Sequence, residues 1–150
     1  AYIGQNGIAL DKKEGDKKTP EGIFDLGIAF GMNATIDNNK IEYKNIDEYL
    51  YWVDDINSKY YNQLVDSRNI NKDWKSAEHL IEYPNEYEYV IEIKSNPENK
   101  KGKGSAVFLH CSNSKATSGC VAIDKKTMQE LMNIIDGNAI IIIQGKNKKE

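Results

Sequence analysis

The chain has 150 residues, 39% hydrophobic and 29% charged, with a formal net charge of −3. This composition fits one compact domain with a real core and excludes a disordered tail. Lys, Asp and Glu are mixed along most of the chain, which argues against a nucleic-acid partner, since that needs a basic face.

No segment approaches the roughly 18–20 apolar residues of a membrane helix. No signal peptide is present, and the chain opens at Ala1 rather than Met. A piece of a longer protein is therefore expected. The cluster Lys146 to Lys149 reads as a solvated tail, able to attract an anionic polymer. Two cysteines, Cys111 and Cys120, allow one bridge at most.

Ala1 to Leu10 reads as strand and turn, broken by Gly4 and Gly7. Asp11 to Lys18 is a charged loop, and Thr19-Pro20-Glu21-Gly22 carries turn chemistry. Gly22 to Phe30 is a strand ended by Gly31, and Asp37 to Lys40 is a turn between two short strands. Asp47 to Tyr61 is rich in aromatics and carboxylates without a clean period. Ser76 to Tyr83 predicts a short helix capped by Ser76, with Ala77, Leu80 and Ile81 as its apolar face.

Tyr87 to Ile93 alternates, with Tyr87, Tyr89, Ile91 and Ile93 on one face, and predicts a half-exposed strand. Asn96 to Gly104 is a hairpin-like loop, and Ser105 to His110 a buried strand. Asp124 to Asp136 is the strongest helix, with Asp124 as N-cap and Gly137 as the stop. Met128, Leu131, Met132 and Ile135 share its apolar stripe. Ala139 to Ile143 closes the chain as a strand. Short strands with two helices predict a mainly β domain of α+β type.

The chemistry gathers between His110 and Cys120. His110 ends an apolar strand, a short polar loop follows, and Ser118-Gly119-Cys120 leads into Val121-Ala122-Ile123. The two side chains stand at opposite ends of one loop that can fold them together. A free thiol has a pKa of roughly 8.5, and its thiolate is the nucleophile. A nearby imidazole takes the proton or holds the thiolate as an ion pair. The Gly119 and Cys120 N–H groups can face an oxyanion, worth ~3 kcal/mol per donor. No Asp or Asn is placed to orient His110, so a backbone carbonyl is expected.

Other readings stay open on these residues alone. Cys120 can be a core side chain. A Cys111–Cys120 disulfide is possible, though strand alternation turns Cys111 away from His110. Zinc on His110, Cys111, Cys120 and His79 matches no common spacing.

Phe108 to Ser112, followed by Thr117 to Ile123, resembles the catalytic motif of YkuD-like L,D-transpeptidase domains. Glu14 to Phe24, Ala29 to Gly31, Trp52 to Asn62 and Trp74 to Glu78 resemble further family segments in the same order. The likeness runs from about Gly4 to Gln144. It implies a β-sandwich with mixed sheets and a few flanking helices, in the bacterial cell wall or at the cell surface. It implies a cysteine acyltransferase that releases D-Ala from a peptidoglycan stem peptide and joins the acyl group to a second stem, a 3→3 cross-link. Hydrolysis by water would make it an L,D-carboxypeptidase. Acylation by carbapenem-type β-lactams is implied, and no metal or organic cofactor. A monomer is the default.

Carried over by position, Cys120 is the nucleophile and His110 its base, with Gly119 and Ser118 completing the catalytic set. Many members have His and Arg where this chain has Ser118 and Ala122, and their His-to-Cys loop is longer. Donor or acceptor preference is therefore open. Asp54, Asp55, Tyr61 and Asn62 resemble a block expected near the substrate, or else form a turn packed by Trp52 and Tyr60. A substrate amine favours a carboxylate there. Tyr89 and Tyr87 reach the oxyanion site or form an ordinary strand face. Ser76 and Glu78 read as a helix start, Trp74 as core or rim, His79 as surface. Lys115 lowers the thiol pKa or is merely solvated. A rival of another class is an inert wall-binding module with bridged cysteines.

Overall fold

A computed structural model describes residues 1–146. Of the basic cluster at the end, Lys146 lies within them and is exposed; the rest lies outside the described residues. The strands are β1 (Ile8–Ala9), β2 (Thr19–Pro20), β3 (Gly22–Gly31), β4 (Tyr43–Asn45), β5 (Leu50–Val53), β6 (Leu64–Asp66), β7 (Ala77–His79), β8 (Val90–Ile93), β9 (Phe108–Cys111), β10 (Val121–Ile123) and β11 (Ile140–Ile143). The described residues hold one α-helix, α1 (Lys125–Ile134), rather than two.

The large sheet is mixed and mainly antiparallel, in the order β10-β9-β8-β3-β11, with β4 beside β3. β9 and β10 run parallel, as do β3 and β4. A second, antiparallel sheet has the order β6-β5-β7. The mainly β expectation holds. The helix buries Met128 and Met132 against Ile91, Leu109 and Cys111 on one face of the large sheet. The opposite face packs Phe30, Val90 and Phe108 against Leu50 and Trp52 of the small sheet. Phe108 meets Trp52 edge-on at 4.8 Å, a favoured aromatic geometry.

Several expectations change once tertiary pairing is present. Thr19-Pro20 is not a turn but pairs in parallel with β1. Thr19 N–H reaches Gly7 O and Glu21 N–H reaches Ala9 O, so the donor that Pro20 lacks is not needed. The Asp37–Lys40 turn lies in a crossover, because β4 runs parallel to β3. Ala77–His79 is a strand on β5, followed by a 3-10 turn at Leu80–Glu82. Leu80 is buried and Ile81 exposed, so no helical stripe forms. β8 is central, with Val90 buried on one face and Ile91 and Ile93 on the other.

Asp124 caps α1 as expected, accepting from Thr127 N–H. The helix ends earlier than Gly137, with Ile135 as an extended C-cap. Asn38 Nδ2 donates to the Met132 and Ile135 carbonyls and satisfies that end. β11 is an edge strand whose Ile140 and Ile142 stay exposed rather than buried.

Candidate active site

The seam between the two sheets holds His110 and Cys120. Alternation along β9 sends Phe108 and His110 to the seam and Leu109 and Cys111 into the core beneath α1. The His-to-Cys connection is a parallel crossover rather than a hairpin, with Ala122 opposite His110 and Val121 opposite Leu109. Cys120, one step before β10, therefore stands beside Phe108. The Phe108 N–H donates to its sulfur at 3.4 Å, and the thiol donates to Ala106 O at 3.2 Å.

His110 and Cys120 line one cleft of about 290 Å³ with Glu78, Tyr87 and Ser118. Among the described residues no hydrogen bond joins them. His110 Nδ1 lies 2.8 Å from the Cys111 carbonyl, the kind of orienting group expected from the sequence. A carbonyl only accepts, so Nδ1 carries the proton and Nε2 is the free acceptor. Burial holds the imidazole below its usual pKa, opposed by the Cys111 carbonyl and the Glu86 charge. Burial first, and then the Glu78 charge, push the Cys120 thiol up to about 12. The Phe108 N–H and Lys12 pull it back. The resting pair is thus neutral thiol and neutral imidazole.

Cys120 also borders a second cleft of about 260 Å³, lined by Lys12, Glu14, Asp54, Glu78 and Ser118. Of the expected substrate residues, Asp54 lines this cleft, held by Ser76 Oγ at 2.6 Å. Asp55 does not; it accepts the Asn57 and Lys75 N–H groups and fixes a turn. Tyr61 and Asn62 lie beneath the wall. Tyr61 O–H donates to Glu14 and accepts Gly104 N–H, and Asn62 Oδ1 accepts Ala106 N–H at 3.2 Å. They shape the segment that holds the Cys120 sulfur. Tyr89 is buried with Cys111 in the core under α1 and does not reach the seam, whereas Tyr87 does. An irregular turn before β8, where Met32 N–H meets the Tyr87 and Glu88 carbonyls, splits the two tyrosines between faces.

Gly119 adopts φ +140°, a conformation that favours glycine, and an added Cβ would stand 3.0 Å from Lys18 O. Its N–H is bound by Thr117 Oγ1, so it is not available to an oxyanion, contrary to expectation. Thr19, fully buried, donates to Gly119 O and accepts Gly4 N–H, which locks the loop. Ser118 is exposed and borders both clefts.

Lys115 is exposed and borders neither cleft. The cations that line the second cleft are Lys12, paired with Asp16 at 2.6 Å, and Lys17. Nothing in the charged loop Asp11–Lys18 marked them out. The sequence reads Glu78 as a helix start, but it belongs to β7 and lines the cleft with Cys120. The zinc set is dispersed: His79 stacks on Tyr51 and Cys111 faces the other core. Among the described residues no group of three His, Cys, Asp or Glu side chains could hold a metal ion. Both cysteines are free.

The family model for the YkuD L,D-transpeptidase catalytic domain matches residues 1–143. The chain belongs to the YkuD family. This covers nearly all of the described residues and both walls of the clefts. The YkuD assignment makes it an enzyme of L,D-transpeptidase type, from a family that acts on peptidoglycan stem peptides. No curated protein and no solved structure matches the chain.

Proposed function

We propose that this YkuD domain is a peptidoglycan L,D-transpeptidase that makes 3→3 cross-links outside the cytoplasm, with Cys120 as nucleophile and His110 as base. The observation that carries the reading is the cleft shared by an imidazole with a free Nε2 and a thiol. His110 takes the Cys120 proton as sulfur adds to the carbonyl before the terminal D-Ala. The oxyanion meets the Cys120 N–H, with the Lys12 ammonium nearby. Collapse expels D-Ala, whose amine recovers the proton from His110, and a thioester remains. The amine of a second stem displaces Cys120, which leaves as the thiol. Water in that role gives a carboxypeptidase. The free cysteines oppose the bridged, inert module.

Product analysis with a tetrapeptide stem tests this. A cross-linked dimer is expected, with D-Ala release and a covalent intermediate on Cys120 by intact mass. Free tripeptide without dimer would make the domain a carboxypeptidase. No product, and no adduct with a carbapenem-type β-lactam, would remove the enzymatic reading.

The pH dependence of acylation follows from His110. Its folded pKa is lowered, so the neutral base is present above that pKa and lost as pH falls through it. The ascending limb of kcat/KM for Cys120 acylation is expected to centre below the ordinary imidazole value of about 6.5. A midpoint at or above that value contradicts the assignment.

A further inference from the structure

Glu78, half-buried, is a titratable group beside Cys120 that the steps above leave unused. It comes from β7 in the small sheet, yet it lines both clefts that meet at Cys120 and Ser118. The Tyr87 hydroxyl fixes it, donating to Oε2 at 2.5 Å. Oε1 accepts no hydrogen bond among the described residues. No buried side-chain oxygen among them lacks a partner, so Oε1 is accessible to solvent on a side chain that lines both clefts.

Resting on the reading that Cys120 forms an acyl-enzyme, we propose that Glu78 is the ammonium site for the acceptor. It holds the incoming amine beside the thioester and takes the proton that the amine must lose to attack. Three features suit it to this role. The side chain lines a cleft that Cys120 also lines. Asp54 and Glu14 join Glu78 on the cleft, three carboxylates against the Lys12 and Lys17 ammonium groups, of which Lys12 is paired with Asp16, so the balance attracts a cation. Burial first, and then Asp54 and Glu14, raise its carboxyl to about 7, opposed by the Tyr87 hydrogen bond. A carboxylate so tuned accepts a proton far better than an ordinary Glu.

The step balances. The ammonium gives one proton to the Glu78 carboxylate and becomes a neutral amine. The amine nitrogen bonds to the thioester carbon, and the carbon–sulfur bond breaks. The second proton passes through His110 to the departing Cys120 sulfur. The products are an amide, a thiol and a protonated Glu78, which returns its proton to solvent. Water needs no ammonium site, so Glu78 sets the choice between cross-linking and hydrolysis.

The test measures partition of a preformed acyl-enzyme. Cys120 is loaded with a tetrapeptide donor, and decay is followed by intact mass with and without an acceptor stem bearing a free side-chain amine. Glu78→Gln is expected to lower the aminolysis-to-hydrolysis ratio by about tenfold or more, and Glu78→Asp to recover part of it. A merely structural role would slow both routes together and leave the ratio unchanged. An unchanged ratio in Glu78→Gln overturns the assignment, as does a wild type that only hydrolyses. If Glu78→Gln is unfolded by circular dichroism, an unchanged ratio in Glu78→Asp overturns it instead. A wild type with no acyl-enzyme on Cys120 removes the proposed function itself, a separate readout from the ratio.

Discussion

Cys120→Ala is expected to abolish both the β-lactam adduct and turnover, with a loss of roughly a million-fold, the scale seen when a covalent nucleophile is deleted. The cleft holds no ready substitute. Ser118 is exposed beside Cys120, but a hydroxyl is a far weaker nucleophile without a matched base. Cys111→Ala keeps the adduct, because that thiol lies under α1 on the other face. Alanine at 120 removes a side chain that donates to Ala106 O and accepts the Phe108 N–H, so the fold of the variant is checked alongside. Intact mass after incubation with a carbapenem-type compound, beside a circular-dichroism spectrum, decides the matter. An adduct on folded Cys120→Ala means that the nucleophile is elsewhere.

Asn62→Ala destabilises the fold by about 3 kcal/mol, since two buried donors are left unpaired at about 1–3 kcal/mol each. Asn62 Oδ1 accepts the Trp52 indole N–H at 3.1 Å and the Ala106 N–H at 3.2 Å. Its Nδ2 donates to Asn96 O and Asn99 Oδ1. The residue itself sits at φ +58°, where Asn is far better tolerated than Ala. At about 2–4 °C per kcal/mol for a chain of this size, Tm falls by roughly 10 °C. Acylation should slow as well, because Ala106, at φ +52°, loses the bond that fixes the carbonyl facing Cys120. Urea unfolding measures the loss, and one below about 1 kcal/mol would refute this account of Asn62.

What was legible in the sequence is local. Alternation at His110 and Cys111 depends only on neighbouring residues, and it separated the two cysteines correctly. Asp124 capped its helix because the cap is also a nearest-turn interaction. The Glu78 role was hidden because it depends on β7 docking on β5, which brings a carboxylate to Tyr87 and Cys120. The same docking turned a helix-like spacing at Ala77, Leu80 and Ile81 into strand and 3-10 turn. Tyr61 is buried and Asn62 half-buried, and their side chains bind the Gly104 and Ala106 N–H groups behind the wall rather than line either cleft. The parallel pairing of β10 with β9 was equally non-local, and it set Cys120 beside Phe108 instead of directly opposite His110.

The separation of the two sulfurs across the sheet bears on chemical damage. Peroxide and disulfide exchange both begin from the thiolate. A Cys120 held protonated, with its pKa near 12, offers little thiolate to either. Cys111, sealed behind the strand, can neither trap a sulfenic acid on Cys120 nor resolve it. Any resistance of this half-exposed thiol to oxidation is therefore expected from its protonated resting state, not from repair by a second thiol.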